Sequence, residues 1–261
     1  MVLKKLLSTI GAYKLYERWL WYQVKNGEKM EHIAIILDGN RRWASGNDLN
    51  PWLGHKKGAE TVEQLLEWCD KLNVKIVTLY TFSTENFRRS PQEVEEIMRI
   101  AEEKFRKLLT NERIHRNKVH VKVIGRVNLL PEKLQQLIAD VEKATANYDG
   151  QFLNFAFAYG GRAEIVDAAK IIAEKVKNGE LDVGDVDEST FEKYLYTSHM
   201  PKQDPDLILR TSGEERLSGF LLWQSAYSEL CFLDVFWPDF RLIDLLRTIR
   251  TFQKRKRRYG A

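Results

Sequence analysis

Three polar stretches carry the residue types that handle phosphate. The first is Asp38-Gly39-Asn40-Arg41-Arg42-Trp43, the second Ser83-Thr84-Glu85-Asn86-Phe87-Arg88-Arg89, and the third Arg210-Thr211-Ser212-Gly213-Glu214-Glu215-Arg216-Leu217-Ser218-Gly219. An acid beside two cations and backbone N–H groups suits a metal-complexed phosphate. Arginine's planar fork matches phosphate oxygens, and several around one cleft suit a diphosphate or two. Two common phosphate motifs are absent: no G-x-x-x-x-G-K-[ST] loop occurs, and no G-x-G-x-x-G follows a strand. An aspartyl-phosphate hydrolase would also use an Asp after a buried strand, but with a second Asp two residues on, where this chain has Asn40. A phosphohydrolase using Asp38 stays an alternative at this point.

The elements that must position these stretches alternate regularly. Ile33-Ala34-Ile35-Ile36-Leu37 is five apolar residues without a break, the pattern of a strand buried on both faces. Further strands are expected at Val74–Tyr80, Val119–Ile124, Phe152–Ala158, Leu207–Arg210 and Tyr227–Phe232. Apolar residues at helical spacing predict helices over Gly58–Asn73, from Ser90-Pro91-Gln92-Glu93 through Leu108, and over Pro131–Ala146, Ala163–Lys177 and Leu242–Phe252, with a short one near Phe191–Leu195. The alternation predicts a single α/β domain with a central, mainly parallel six-stranded sheet flanked by helices. In such a sheet ligands sit beyond the carboxyl ends of the strands, so the three polar stretches converge on one edge. His55, in Leu53-Gly54-His55-Lys56-Lys57, reads either as a helix-start or surface residue or as part of this site.

Bulk properties exclude some classes. In 261 residues the net charge is +4, with 44% hydrophobic and 30% charged residues, which is ordinary for a globular chain and does not imply nucleic acid. Cys69 and Cys231 lie in no metal-ligand spacing and read as buried, reduced thiols that fit a reducing cytoplasm. No apolar run approaches the ~20 residues of a membrane-spanning helix. Residues 1–25 combine Leu3, Leu6, Leu7, Ile10, Tyr13 and Leu20 with Lys4, Lys5, Lys14, Arg18 and Lys25, ending in Trp19, Trp21 and Tyr22. Two readings stand side by side: a basic amphipathic helix lying peripherally on a membrane, or a plain helix packed on the domain. The tail Lys254-Arg255-Lys256-Arg257-Arg258 reads as a nucleic-acid or lipid-headgroup patch, or as the solvated end of a helix whose dipole cations suit.

The chain resembles the cis-prenyltransferases, the undecaprenyl and dehydrodolichyl diphosphate synthases, in their archaeal form. The resemblance rests on His32-Ile33-Ala34-Ile35-Ile36-Leu37-Asp38-Gly39-Asn40-Arg41-Arg42-Trp43-Ala44, Thr78–Asn86, Ala158-Tyr159-Gly160-Gly161-Arg162, Asp206–Glu214, Leu221–Leu230 and Trp237-Pro238-Asp239-Phe240, in the family's order. It implies a catalytic domain over residues 30–261 after an N-terminal helical extension over residues 1–29. The implied reaction condenses isopentenyl diphosphate with an allylic diphosphate, geranylgeranyl or farnesyl, in cis geometry. The implied product is a polyprenyl diphosphate of about undecaprenyl size, precursor of a glycosyl carrier lipid.

By the same resemblance Asp38 is the central catalytic residue and binds Mg²⁺, with Glu229 completing the metal site. Asn86 matches the residue assigned as proton acceptor, although a neutral amide is a weak base and a departing diphosphate is the other candidate. Backbone N–H groups of Gly39, Asn40, Arg41 and Arg42 would hold the allylic diphosphate. Arg210, Arg216 and Ser218, with Arg89, would hold isopentenyl diphosphate; Ser83, Thr84, Glu85 and Trp43 would line the same site, and His55, Phe87 and Leu217 are further implied substrate-binding residues. An apolar tunnel for the growing chain would use the Val94–Leu109 helix with Phe105, and Phe152, Phe155 and Phe157. Two departures stand out: Pro51 replaces an arginine of many bacterial members, leaving Lys56 as a substitute, and Phe87 replaces Trp. Arg258-Tyr259-Gly260 matches an R-x-G ending that resembles a motif reaching across a homodimer interface, which favours a functional tail over nucleic acid. The other-class alternative is a catalytically silent scaffold subunit, which tends to lose the residues that Asp38, Arg210, Arg216 and Glu229 represent here.

Overall fold

The fold is organised about β1, His32–Ile36, every residue of which is buried. In the computed structural model, which describes residues 11–255, β1 pairs in parallel with β2 (Ile76–Ser83) on one side and β5 (Leu207–Arg210) on the other. With β3 (Val119–Ile124), β4 (Gln151–Tyr159) and β6 (Glu229–Phe232), the sheet runs β3-β4-β2-β1-β5-β6, and all five pairings are parallel. The parallel sheet read from the sequence is therefore present without an antiparallel exception. Its carboxyl edge carries all three polar stretches.

The helices are α1 (Ala12–Lys25), α2 (Asn40–Gly46), α3 (Pro51–Lys71), α4 (Pro91–Leu109), α5 (Glu112–Arg116), α6 (Glu132–Thr145), α7 (Gly161–Lys177), α8 (Glu188–Glu192) and α9 (Leu242–Lys254). Two boundaries differ from the sequence reading in ways that matter to the site. α3 starts seven residues before Gly58, because extended Asn50 leads into Pro51 at the first helical position, where a missing N–H costs nothing. His55 thereby lies inside the helix rather than before it. β2 runs past Tyr80 to Ser83, and its pairing with β4 shifts register between Tyr80 and Phe82. Such an irregularity re-aims the strand end, here carrying Ser83 to the cleft.

α1 packs on α9. Leu20 and Val24 are buried there, while Arg247 lies 5.2 Å from the Tyr16 ring and Arg250 4.5 Å from the Trp19 ring. Leu15, Trp19 and Tyr22, spaced four and three residues apart, remain exposed on one stripe. No helix among the described residues is long and apolar enough to cross a membrane. Residues 1–10 and the Arg258-Tyr259-Gly260 ending lie outside the described residues. Cys69 is buried, with its thiol pushed up to about 12 by burial, and Cys231 is half-buried.

Candidate active site

The carboxyl ends of β1, β2 and β5 enclose a cavity of about 800 Å³. Asp38, Asn40, His55, Ser83, Thr84, Glu85, Asn86, Arg89, Arg210 and Ser218 all line it. A second cavity of about 530 Å³ is lined by Gly39, Arg41, Arg42, Ser45 and Pro51, and shares Asp38, Asn40, His55 and Arg89 with the first. A third, of about 570 Å³, runs between α3, α4 and the sheet. Its wall includes Val62, Leu66, Ile97, Ala101, Phe105, Leu108, Phe155 and Phe157. Leu37, Asn40 and His55 line all three, so two polar chambers and one apolar tunnel meet at a common neck.

Asp38 sits two residues beyond β1 and is held at both backbone and side chain. Its N–H donates to Thr211 Oγ1 at 3.0 Å, and the Thr211 hydroxyl donates to the Asp38 carbonyl at 2.7 Å. Oδ1 accepts the Gly39 N–H at 2.7 Å, and Oδ2 accepts Arg210 Nη2 at 2.8 Å and Arg42 Nη2 at 3.4 Å. Burial pushes the carboxyl up, but the Arg210 guanidinium and its neighbours outweigh it and hold Asp38 below the usual carboxylate range. The turn needs Gly39, whose φ is +103° and where a Cβ would lie 2.7 Å from the Phe236 ring.

Arg210, nearly buried, bridges the two loops. It also donates to Ser218 Oγ at 2.8 Å and to the Arg216 carbonyl, while its Nε is buried without a partner among the described residues. Arg42 donates to Ser212 Oγ at 2.5 Å and pairs with Glu214 at 3.2 Å, which in turn pairs with Arg216. On the opposite wall, buried Glu93 pairs with Arg89 at 2.9 Å, His55 at 3.1 Å and Arg41 at 3.6 Å. The Arg210 loop is pressed onto α7 by a Gly161 N–H to Gly219 carbonyl bond of 2.8 Å, and a Cβ at Gly161 would come within 2.6 Å of that oxygen. Behind this contact, burial raises the Glu164 carboxyl, which takes bonds from Tyr159, Gln224 and the Tyr196 N–H.

Several sequence expectations are redistributed. Trp43, Phe87, Arg216 and Leu217 do not line the cavities: Phe87 packs edge-on against Phe82 at 4.9 Å, Leu217 joins the apolar cluster with Phe220, and Arg216 is exposed on Glu214. Phe152 does not join Phe155 and Phe157 on the tunnel wall, because alternate strand residues face opposite sides; it stacks on His120 at 5.5 Å. Lys56 does not line the chamber beside Pro51, and its charge acts on Glu60 and Glu103 instead.

Asn86 caps the turn after β2: its Oδ1 accepts the Ser83 N–H at 2.9 Å, leaving its amide N–H groups for the cavity. Amide N–H groups there are donors, suited to an anion.

Glu229 starts β6 level with Leu207, three residues back from the register of Arg210, at roughly 3.3 Å per residue. It pairs with Arg255 at 2.5 Å and does not meet Asp38 within the chain. No group of three or more His, Cys, Asp or Glu among the described residues could hold a metal. Magnesium takes only one or two carboxylates when substrate phosphates and water complete its shell, so Asp38 alone fits that part.

Glu93 belongs to the site as well, and within the third polar stretch Thr211, Ser212 and Glu214 act as partners of Asp38, Arg42 and Arg216. Glu93 reads in the sequence as a first-turn helix acid, and its N–H does face Ser90 Oγ at 3.4 Å, but nothing in that pattern shows where its carboxylate points.

A family model described as "Putative undecaprenyl diphosphate synthase" matches residues 36–260. The tritrans,polycis-undecaprenyl-diphosphate synthase (geranylgeranyl-diphosphate specific) of Methanopyrus kandleri is 55% identical over 254 residues, covering 97% of this chain and 93% of that protein. The synthase of the same description from Pyrococcus horikoshii is 53% identical, covering 95% of this chain and 94% of its own length. Among solved structures, lavandulyl diphosphate synthase from Lavandula x intermedia in complex with dimethylallyl diphosphate superposes with a TM-score of 0.85 at 37% identity, covering 89% of this chain and 98% of that one. A probable undecaprenyl diphosphate synthase from Campylobacter jejuni gives 0.72 at 30% identity, covering 90% and 100%.

Proposed function

The chain belongs to the undecaprenyl diphosphate synthase family, and from that footing we propose that it extends geranylgeranyl diphosphate with isopentenyl diphosphate units, in cis geometry, to a product of about undecaprenyl size. It is a prenyl-transferring enzyme. The observation that carries the reading is the neck at Leu37, Asn40 and His55, where two cation-lined chambers meet one apolar tunnel. Two diphosphates side by side and a hydrocarbon tail leading away are what the reaction must hold. The archaeal relatives' geranylgeranyl specificity supports the C20 primer over farnesyl diphosphate.

In this reading the chamber with Gly39, Arg41, Arg42 and His55 takes the allylic diphosphate, and Arg210, Ser218 and Arg89 take isopentenyl diphosphate. Mg²⁺ on Asp38 would neutralise the diphosphate leaving group as the allylic C–O bond breaks. Arg42 and Arg210, already aimed at the Asp38 carboxylate, stabilise the same developing charge. The homoallylic double bond attacks the allylic carbon, a C–C bond forms, and a proton leaves the adjacent methylene. Asn86 donates to a diphosphate, and the departing diphosphate takes the proton. A phosphohydrolase with Asp38 as nucleophile has less support, since both carboxylate oxygens are engaged. A silent scaffold has less support because Arg210 donates to both Asp38 and Ser218 on the wall of an open chamber.

Purified protein incubated with Mg²⁺, labelled isopentenyl diphosphate and C10, C15 or C20 allylic primers tests the proposal. Turnover is expected with C20 and lost when chelator removes the metal; no product with any primer refutes it. Homodimerisation, taken from the resemblance, is checked by sedimentation. The exposed stripe of Leu15, Trp19 and Tyr22 beside Arg18 supports peripheral contact with an anionic membrane. Flotation with anionic vesicles, abolished by Trp19→Ala with Leu15→Ala, tests that contact.

A further inference from the structure

Glu93 touches neither chamber nor tunnel as a lining residue, yet two arginines and a histidine of the chambers converge on it. It lies in the first turn of α4 with its side chain only 6% exposed. Oε1 receives Arg89 Nη1 at 2.9 Å and His55 Nε2 at 3.1 Å, and Oε2 faces Arg41 Nε at 3.6 Å. Arg89 and His55 also touch each other at 3.4 Å. Two guanidiniums this close repel: burial, and then the charge of Arg41, weigh against protonated Arg89, while Glu93 favours it. One buried carboxylate is what lets them share a wall. From this geometry we propose that Glu93 is a positioning residue for substrate: it holds Arg41, Arg89 and His55 in a fixed fan, so that two diphosphates meet preset donors at the neck.

The proposal rests on the prenyl-transfer reading and adds an order of effects to it. Arg41 lines only the chamber assigned to the allylic diphosphate, whereas Arg89 and His55 line both. Loss of Glu93 therefore disturbs three donors on the allylic side and two on the isopentenyl side. A second force acts the other way, because removing a carboxylate makes the wall more positive. Order outweighs charge here, since a guanidinium released from a buried partner swings to water instead of waiting at the diphosphate.

The test compares Glu93→Ala, Glu93→Gln and Glu93→Asp in the full chain. Glu93→Ala should raise KM for the allylic diphosphate by about tenfold or more, and KM for isopentenyl diphosphate by less, with kcat within about threefold. Glu93→Gln should fall between, and Glu93→Asp should recover most of the loss. Calorimetric binding of inorganic pyrophosphate, which needs no turnover, should weaken in the same order. Should Glu93→Ala fail to fold, the Gln variant supplies the same readouts. Unchanged KM values, or tighter pyrophosphate binding in folded variants, would overturn the proposal. Weakened pyrophosphate binding in a protein with no prenyl-transfer activity would retain the positioning role while sinking the functional reading.

Discussion

Two aspartates bracket β1, and they use their oxygens differently. Asp206, at its amino end, accepts the Glu31 and His32 N–H groups on Oδ2 at 2.8 and 3.0 Å and Lys202 on Oδ1 at 2.6 Å. Asp38, at the carboxyl end, accepts Gly39, Arg210 and Arg42, the last at a loose 3.4 Å. Burial pushes both carboxyls up, and their partners bring both below the usual range. The difference is access: the Asp206 side chain is 6% exposed and the Asp38 side chain 29%, on the wall of two chambers. A lowered carboxylate is thus no guide to function by itself. The first ties the start of β1 to the segment that leads into β5, and the second keeps a side turned to a ligand.

The sharpest way to break that comparison is to exchange the consequences. Asp38→Ala should cut turnover by about 10³-fold while leaving the melting temperature nearly unchanged. Asp206→Ala should leave the buried His32 N–H and the part-buried Glu31 N–H without their acceptor, costing about 2–4 kcal/mol. At roughly 2–4 °C per kcal/mol for a chain of this size, a thermal melt resolves it. Activity per folded molecule should stay near normal in Asp206→Ala. If instead that activity collapses, the two ends of β1 are not functionally separate.

A next, smaller effect sharpens the Asp38 end. Arg210→Lys keeps the charge but cannot reach Asp38, Ser218 and the Arg216 carbonyl together as the guanidinium does. Steady-state kinetics should show a loss of about 10²-fold in kcat/KM for isopentenyl diphosphate, with a smaller change for the allylic substrate. Equal losses for both substrates would place Arg210 in general support of Asp38 instead of one chamber.

These residues also mark what sequence could disclose. β1, its abrupt end at Asp38 and the parallel sheet follow from local pattern: an unbroken apolar run and strands alternating with helices. The convergence of the three loops follows from topology. The partner of each charge does not, because it depends on side-chain direction across 38 positions for His55 and Glu93, or 172 for Asp38 and Arg210. Phe152 falls off the tunnel wall for a simpler reason: aromatic type alone does not carry strand parity. Family pattern draws Glu229 to Asp38, whereas within the chain register sets it back toward the other edge.

The tunnel supplies a third prediction. Phe105 on α4 meets Phe155 on β4 edge-on, with centroids 5.3 Å apart, in the apolar wall. Phe105→Ala widens that wall, so product resolved by thin-layer chromatography should shift to longer chains, with primer KM little changed. The variant should lose about 3 kcal/mol of stability, the low side of buried Phe→Ala costs, since the ring already borders a void. An unchanged product ladder would mean the chain takes another path.

The smallest effect returns to the amino end of β1, where His32 lies beside the Asp206 carboxylate with its Nε2 on Thr78 Oγ1 at 2.8 Å. Burial lowers His32 to about 3, against 6.5 for an ordinary imidazole. The folded protein therefore keeps His32 neutral while the unfolded chain takes up a proton below pH 6.5. Stability is complete above 6.5 and falls as pH drops from there toward 3. Asp206 has the same sign but a lower window, since its contribution begins to fade only near the ordinary carboxylate value of 3.8. Between pH 6.5 and 5 the His32 term is worth about 1.4 kcal/mol per unit, or about 2 kcal/mol across that span, and His199, which burial lowers to about 4, adds a term of the same sign in the same window. Urea unfolding at pH 7.5 and 5 should show wild type losing at least the His32 term, and His32→Asn should be about 2 kcal/mol less pH-sensitive whatever its absolute stability, the remainder being left to groups such as His199. Equal pH sensitivity in the two proteins would mean that His32 does not differ in protonation between folded and unfolded states, and that another group at this end sets the acid response.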